Sequence, residues 1–226
     1  MTAGPRWQAA DRYETVIYGE PEDVATLAGA ARAVIDLWAE RTAAIGARAE
    51  VGYVLVTDDA AAGHGQIWAF AAVPPAPLAE LHAVPCSICG EHPGDRLVTE
   101  AMGWRVWASD HASWPYAAVI APVGHRPDLA SLATWERDAL AQLLADVLGR
   151  FARLDLAHFL WVHQQPADGR PWPNAHVHIE VAAAPTPPSA AELGAGVFFN
   201  PVPPAEAAAA LRGAGGAGPP PGPVTP

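Results

Sequence analysis

Two long stretches of the chain repeat apolar residues at the three-to-four-residue spacing of an amphipathic α-helix, and this feature constrains the fold most. In the first stretch these residues are Val24, Leu27, Ala31, Val34, Ile35 and Trp38. In the second they are Leu140, Leu143, Leu144, Val147, Leu148 and Phe151. Each pattern gives a helix with one apolar stripe. Such a helix must bury its stripe, so we expect both helices to pack on a β-sheet.

Short runs rich in β-branched and aromatic residues supply the strands for this sheet. We predict strands at residues 53–57, 65–70, 96–101, 104–109, 116–122, 158–164 and 175–181. The step Met102-Gly103 indicates a hairpin turn between two of them. Strands joined by hairpins and covered by two helices predict an α+β fold built on antiparallel sheets. Residues 1–11 are expected to form a flexible arm, and the Gly- and Pro-rich residues 213–226 a disordered tail.

The composition limits the partners and the compartment that we expect. The 226 residues carry a net charge of −11, and all thirteen basic residues are arginine. This charge repels phosphate backbones, which argues against a nucleic acid partner. No apolar run reaches the roughly 18–20 residues that span a bilayer, and the N-terminus lacks the apolar stretch of a signal peptide. We therefore expect a soluble cytoplasmic protein with no membrane partner.

The two cysteines, Cys86 and Cys89, are separated by two residues. In a cytosolic chain this spacing indicates metal or redox chemistry rather than a structural disulfide. A thioredoxin-like redox pair would lie where a strand leads into a helix, whereas predicted strands follow the cysteines here. Two thiolates at this spacing can chelate one Zn²⁺ ion. With His125, which follows the strand at 116–122, and with His176, they make up a Cys₂His₂ zinc set.

A second signal is the pair His176 and His178, which flank Val177 on a predicted strand. Residues two apart on a strand face the same side, so the two imidazoles are expected to emerge next to each other. Glu180 extends the same face. A single histidine on a strand is usually structural, but two at this spacing favour a metal or phosphoryl site.

A third signal is the run Gly63-His64-Gly65-Gln66 at the start of a predicted strand. The flanking glycines allow a backbone or a phosphate group to approach closely. A neutral histidine that is held in one tautomer can act as a nucleophile. Gln66, on the same strand face, can donate to a phosphate oxygen. Without further context, the same run also fits an ordinary turn histidine.

The segment His64-Gly-Gln-Ile-Trp-Ala resembles the end of the His-Pro-His-x-Gln motif of galactose-1-phosphate uridylyltransferases, a family of the histidine-triad superfamily. Other segments resemble the family in the same order along the chain, namely 121–129 (APVGHRPDL), 161–166 (WVHQQP) and 194–212. The resemblance covers residues 12–212. It implies two histidine-triad-like halves, a truncated one at 12–85 and a complete one at 86–212, and a homodimer. In the complete half we expect a sheet at about 86–182 with a helix at 127–153 across it, and in the truncated half a second, incomplete sheet from residues 12–75.

The resemblance also implies an activity, that of a nucleotidyltransferase acting on a nucleotide sugar or a sugar 1-phosphate. The family's nucleophile, which becomes a uridylyl-histidine, matches His64, and its phosphate-binding glutamine matches Gln66. A glutamate that the family lends across the dimer to the sugar matches Glu192. The leaving group needs cations, for which Arg126 and Arg170 are candidates.

Two metal sites are compatible with the resemblance. In relatives with a CxxC in the second half, the zinc ligands match Cys86, Cys89, His125 and His176. In other members a glutamate and three histidines bind the metal, and these match Glu80, His163, His176 and His178. The two sets share His176, so we treat them as alternatives. We favour the cysteine set because thiolates are the stronger zinc ligands.

The chain also departs from the family pattern. The family's N-terminal segment, with a CxxC, two arginines and much of the base pocket, has no counterpart, and Ala62 stands in place of the first histidine of His-Pro-His. The metal site of the first half is therefore expected to be lost. Two other functions stay open. One is a non-catalytic, zinc-stabilised scaffold or ligand-binding relative, and the other is a histidine-triad-type nucleotide hydrolase or phosphorylase. In single-domain hydrolases of the superfamily, the nucleophile matches His178.

Overall fold

The computed structural model describes residues 13–17, 24–59, 64–183, 189–195 and 198–215. Within these ranges the side chains of residues 13–17, 24–30, 59 and 64 are not described. The predicted arm at 1–11 and the predicted tail beyond residue 215 lie outside the described residues. The tail was predicted to begin at residue 213, but Gly213 still belongs to the last helix.

The described ranges contain eight β-strands, six α-helices and a 3₁₀ turn at Gly94–Arg96. The strands are β1 (Tyr13–Ile17), β2 (Tyr53–Asp59), β3 (His64–Phe70), β4 (Leu97–Ala101), β5 (Trp104–Ala108), β6 (Ala118–Pro122), β7 (His158–His163) and β8 (His178–Ala183). The helices are α1 (Val24–Gly46), α2 (Pro75–Leu81), α3 (Ser87–Gly90), α4 (Thr134–Arg153), α5 (Ala190–Ala195) and α6 (Pro204–Gly213).

All eight strands belong to one antiparallel sheet, in the order β1-β3-β2-β7-β8-β6-β5-β4. The α+β fold predicted from the sequence is therefore confirmed. The separate, incomplete sheet expected from residues 12–75 is a wrong detail, because β2 pairs directly with β7, with Val56 opposite Val162. The pairing of β2 with β7 joins segments about a hundred residues apart, so no local sequence pattern predicts it.

The sheet contains the same unit twice, a strand, a long helix and two further strands. The first unit is β1-α1-β2-β3 and the second is β6-α4-β7-β8, and they meet where β2 pairs with β7. Thr57 is the Cα partner of both Gln66 and Trp161, and Trp161 is also the partner of Glu180. This register relates the two units by an approximate twofold axis. It makes Gln66 the counterpart of Glu180, and position 64 the counterpart of His178.

The main core lies between one face of the sheet and the helices α1, α4 and α6. Ile35 and Trp38 of α1 and Leu140 and Phe151 of α4 are at most 2% exposed, as the two apolar stripes predict. Burial of one such side chain stabilises a fold by about 1.5–3 kcal/mol. Because this layer covers only one face, the functional side chains of the strands emerge on the other. Within the described ranges, no helix is long and apolar enough to cross a membrane.

Two predicted boundaries are shifted. The second long helix, expected at 127–153, begins at Thr134, where the Glu136 carboxylate accepts a hydrogen bond from the backbone N–H of Ala133 (2.8 Å). The last strand begins at His178 rather than at residue 175, so His176 lies in the segment before it. The hairpin turn is confirmed, since Met102 and Gly103 adopt φ values of 54° and 75° between β4 and β5.

Candidate functional site

One cluster brings together the four residues of the predicted cysteine set. The donor atoms of Cys86, Cys89, His125 and His176 all lie within 4.8 Å of one another. His176 Nδ1 is 3.7 Å from the Cys86 sulfur and 3.4 Å from the Cys89 sulfur, and His125 Nδ1 is 3.2 Å from the Cys89 sulfur. Around a tetrahedral zinc ion such donors stand about 3.3–3.8 Å apart, so the cluster can hold a divalent metal.

Local structure explains how these donors converge. Cys86 precedes the single-turn helix α3 and Cys89 lies within it. The Gly90 N–H donates to the Cys86 carbonyl (3.0 Å). His125 follows β6, and the N–H of Val177 donates to the Arg126 carbonyl (2.7 Å), which ties that segment to the one before β8. His176 Nε2 lies 3.0 Å from the Pro122 carbonyl. This contact fixes the ring and leaves Nδ1 as the metal-binding atom.

The ionisation states around this cluster suit a metal site. Burial, together with the neighbouring His125, lowers the pKa of His176 to about 4, so its imidazole is neutral at physiological pH. Partial desolvation and the adjacent Cys86 raise the pKa of the Cys89 thiol. A bound cation favours the thiolate and would reverse that effect. Cys86 is buried and Cys89 is exposed, so the cluster lies at the protein surface.

A second cluster contains Glu80, His163 and His178, whose donor atoms also lie within 4.8 Å of one another. His178 Nε2 is 3.3 Å from a Glu80 oxygen, and the rings of His163 and His178 stack at 4.9 Å. His176 is not a member of this cluster. The two ligand sets, which we expected to be alternatives because they share His176, form two separate groups of donors in this structure. The structure places His176 with the cysteines and leaves a separate group of three donors.

Two further residues surround this second cluster. Glu180 Oε1 lies 3.3 Å from His163 Nε2 and 3.8 Å from His178 Nε2. The buried hydroxyl of Tyr53 is 3.3 Å from His163 Nδ1. His178 Nδ1 is 2.8 Å from the His176 carbonyl, which leaves Nε2 for the carboxylates or for a metal. Sequence reasoning placed Glu180 on this face but missed Tyr53, because no local pattern connects residues 110 positions apart.

Charge within this cluster is strongly coupled. Burial alone would lower the pKa of His178, but Glu80, Glu180 and the hydrogen bond to the His176 carbonyl outweigh it and raise this pKa to about 9. Burial would likewise raise the pKa of Glu180, but its bonds to His163 and His178 hold it well below its usual range. Burial is also the main reason why the pKa of Tyr53 is raised. The cluster therefore combines a cationic imidazole with ionised carboxylate.

The predicted catalytic pair lies on β3, away from both clusters. The backbone of His64 begins β3 and is the Cα partner of Ile17 and Asp59, and its side chain is outside the described part. Gln66 is half-buried and occupies the same row of the sheet as Thr57 and Trp161. This row lies on the face opposite the helices, because the alternate residue Ile67 belongs to the core.

The candidate substrate-binding residues already have partners in the fold. The Glu192 carboxylate accepts hydrogen bonds from the backbone N–H groups of Ser189 (2.7 Å) and Phe199 (3.0 Å), which lower its pKa. Arg170 donates to Asp168 (2.7 Å) and its guanidinium lies 5.0 Å from the Trp172 ring. Arg170 is exposed and Glu192 is half-buried. Glu192 therefore organises the segment around α5, and Arg170 a surface loop.

Arg126, the other candidate cation, pairs with a buried carboxylate. Its guanidinium lies 2.9 Å from Glu136, whose side chain is 4% exposed, at the start of α4. Removing the guanidinium would leave the buried Glu136 carboxylate without its cation, which is unfavourable. Arg126 thus links the segment of the first cluster to α4, and its role as a cation for a leaving group stays a prediction.

No protein-family model and no curated protein sequence matches the chain. Several solved structures do match the chain. A uridylyltransferase aligns with a TM-score of 0.75 at 21% identity, over 95% of this chain and 94% of the other. A uridylyltransferase mutant aligns with a TM-score of 0.78 at 24% identity, over 89% and 77%. The chain has a uridylyltransferase-like fold.

A third solved structure extends the comparison beyond transferases. An ADP-glucose phosphorylase from Arabidopsis thaliana, with bound ADP-glucose, aligns with a TM-score of 0.77 at 19% identity, over 88% of this chain and 72% of the other. The uridylyltransferase-like fold is thus the architecture that the resemblance in sequence implies.

Proposed function

We propose that the chain is a nucleotidyltransferase that acts on a nucleotide sugar or a sugar 1-phosphate through a covalent nucleotidyl-histidine on His64. The observation that carries this proposal is the register of β3. Position 64 begins the strand, and Gln66 lies on the face of the sheet that the helices leave open. The uridylyltransferase-like fold, found in a transferase and in a phosphorylase that acts on a nucleotide sugar, supports this class of substrate.

The chemistry needs two displacements at one phosphorus atom. In the first, an imidazole nitrogen of His64 attacks the α-phosphorus, forms a P–N bond, and breaks the bond to the bridging oxygen. The sugar 1-phosphate leaves with that electron pair. In the second, an oxygen of the acceptor phosphate attacks the same phosphorus and releases the neutral imidazole. The Gln66 amide donates to a phosphate oxygen during both steps. Covalent catalysis of this kind replaces one difficult displacement by two easier ones.

The approximate twofold axis supports His64 over His178 as the nucleophile. The two positions correspond, but their surroundings differ. His178 is 3% exposed and its two ring nitrogens already face the His176 carbonyl and two carboxylates. A nucleophile needs an accessible nitrogen lone pair, which those contacts occupy. The counterpart of Glu180 in the first unit is Gln66, an uncharged donor that does not repel phosphate.

We also propose that Cys86, Cys89, His125 and His176 hold one Zn²⁺ ion. Two sulfur and two imidazole donors at tetrahedral spacing are the usual set for structural zinc. A closed site of four protein ligands leaves no position for substrate, so its contribution is to stability. The ion would tie the start of the second half to the segment before β8. Two cysteines that remain thiols are typical of a reducing compartment, so we also propose that the protein is cytoplasmic.

The test of the transferase is a mass measurement on the intact chain after incubation with a panel of nucleotide sugars. We expect wild type to gain the mass of one nucleoside monophosphate, and His64→Asn to gain none. His92→Asn, which alters an exposed histidine outside the proposed site, should react like wild type. Turnover that survives in His64→Asn and is lost in His178→Asn would instead support the hydrolase. If no substrate gives an adduct, turnover or binding, the scaffold is the better account.

A further inference from the structure

A cavity on the open face of the sheet lies beside the second donor cluster and shares His163 with it. It has a volume of about 470 Å³ and lies between β2, β7 and the loop at 109–117. Its walls are aromatic and are formed by Tyr53, Phe70, Trp114 and Trp161. His163 and Glu180 line one side of it. A volume of a few hundred Å³, mostly apolar walls and few polar groups are typical of small-molecule sites.

Besides the Tyr53 hydroxyl, the titratable polar groups of the cavity are the Glu180 carboxylate and the imidazoles of His111 and His163. Among the described residues that line it none is an arginine, and the chain has no lysine. Both ion-pair contacts of Glu180 use Oε1, so Oε2 is the oxygen that can accept from a ligand. Ser109 and Ser113 add hydroxyl groups. A phosphate would meet the Glu180 carboxylate and no guanidinium or ammonium group, so this cavity disfavours phosphorylated groups.

We propose that this cavity binds an uncharged ring that carries several N–H or O–H donors, such as a nucleobase or a hexose. The ring lies against the indoles of Trp114 and Trp161, and one of its donors bonds to Glu180. Trp114 is held in place by Phe159 and Phe198, whose rings lie 6.1 and 5.2 Å from it. Flat aromatic surfaces suit either kind of ring, and a carboxylate binds donors of both.

The position of the cavity relative to β3 gives it a role that rests on the proposed function. Trp161 and Gln66 are both Cα partners of Thr57, so they are two strand spacings apart, about 10 Å. A nucleotide sugar whose α-phosphate contacts Gln66 can reach that far with one of its rings. The cavity would then be the subsite for the ring-bearing, uncharged end of the substrate, and β3 the subsite for the phosphates.

Isothermal titration of the full chain with uridine, adenosine, glucose and galactose tests this site. We expect one class of ring to bind. Ala112→Trp, which fills the cavity from its half-exposed rim, should weaken binding at least about tenfold, and so should Glu180→Gln, which removes the charged acceptor. Trp135→Phe, at an exposed tryptophan on α4, should bind like wild type. Melting temperatures report whether each variant is folded.

The outcomes distinguish a nucleobase subsite from a hexose subsite. They also test this inference separately from the proposed transferase activity. Binding of nucleosides alone makes the cavity a base subsite, and binding of hexoses alone makes it a sugar subsite. If neither class binds, or if folded Ala112→Trp binds as tightly as wild type, the inference is overturned. The probes carry no phosphate, so this result does not depend on whether an adduct forms at His64.

Discussion

At the scale of single residues, the four donors of the first cluster were the most predictable part of the molecule. The CxxC spacing selects a metal, and the resemblance identifies His125 and His176 as partners, which the structure brings within 4.8 Å of the cysteines. The second cluster was less predictable. Its residues were named, but the sequence could not show that His176 lies with the cysteines and not with Glu80, His163 and His178. The position of His176 in the first cluster depends on which neighbour each of its ring nitrogens contacts.

Replacement of Cys89 tests the first cluster. Cys89→Ser removes a thiolate ligand, so we expect the purified variant to contain far less than one equivalent of zinc. Its free energy of unfolding should fall by several kcal/mol, because binding of a structural metal contributes directly to folding. Elemental analysis and urea denaturation measure these changes. His163→Ala, which alters only the second cluster, should keep its zinc. A full equivalent of zinc in Cys89→Ser would favour the second cluster as the zinc site.

Two histidines predict how the stability of the metal-free chain depends on pH. The folded pKa of His176, about 4, lies below its ordinary value of 6.5, so its contribution is present above about pH 6.5 and is lost as the pH falls to about 4. The folded pKa of His178, about 9, lies above the ordinary value, so its contribution is present below about pH 6.5 and is lost as the pH rises through 9.

The metal-free chain should therefore be most stable near pH 6.5. Each histidine contributes at most about 3 kcal/mol over its window. Thermal unfolding in the presence of a chelator, measured from pH 4 to pH 9.5, checks this maximum. His92→Asn should show the same profile, since its side chain is exposed. A melting temperature that does not change across this range would contradict the assignment of both histidines.

At the scale of elements, apolar periodicity predicted the two long helices, and β-branched and aromatic content predicted seven of the eight described strands. The sequence analysis missed β1, and some of the predicted limits are shifted. Apolar spacing cannot show that α4 begins at Thr134, because a glutamate that accepts the N–H of Ala133 sets this boundary. The turn between β4 and β5 was predictable from two residues. Gly103 has a φ of 75°, a conformation that residues with a Cβ atom disfavour.

A pair of glycine substitutions tests that turn. Gly103→Ala should lower the free energy of unfolding by about 1–2 kcal/mol, the cost of a left-handed conformation for alanine. Its Cβ would meet only the Trp135 ring at 3.5 Å, so backbone strain and not a steric clash is the cause. Gly149→Ala is the matched control. It lies inside α4, where alanine is favoured by up to about 1 kcal/mol, and its nearest neighbour is the flexible Arg153 side chain.

Urea denaturation of both variants and of wild type gives the comparison. The expected order of stability is Gly149→Ala at or above wild type, and Gly103→Ala below it. Equal stability of Gly103→Ala and wild type would mean that the turn can relax to negative φ. The hairpin would then not be fixed by its glycine.

At the scale of the whole molecule, the continuity of the sheet is what the sequence could not provide. Each half was expected to keep its own sheet, yet the pairing of β2 with β7 merges them. Strand pairing between distant segments depends on the register of complementary edges, which leaves no periodic signal. The merged sheet bears on the proposed function, because β3 and the cavity lined by Trp114 and Trp161 lie on the same face. A ligand can therefore contact residues of both repeated units.

The predicted homodimer also belongs to this scale. The strands β1 and β4 are the edges of the sheet, and unpaired edges favour association. Leu193, Phe198 and Phe199 add an exposed apolar patch beside α5, with side chains 67%, 39% and 69% exposed. Exposed apolar groups that cluster in this way commonly mark an interface. We propose that a second copy of the chain covers this patch.

Sedimentation equilibrium at micromolar concentration measures the assembly. We expect a dimer for wild type and a larger monomer fraction for Phe199→Glu, because a carboxylate buried in an apolar interface without a partner is costly. Trp135→Glu places the same charge on another exposed aromatic residue, on α4, and should remain dimeric. The Phe199 backbone keeps its hydrogen bond to Glu192 in the variant, so the segment itself should stay folded. Monomeric wild type, or a Phe199→Glu variant that dimerises as strongly as wild type, would show that this patch is not the interface.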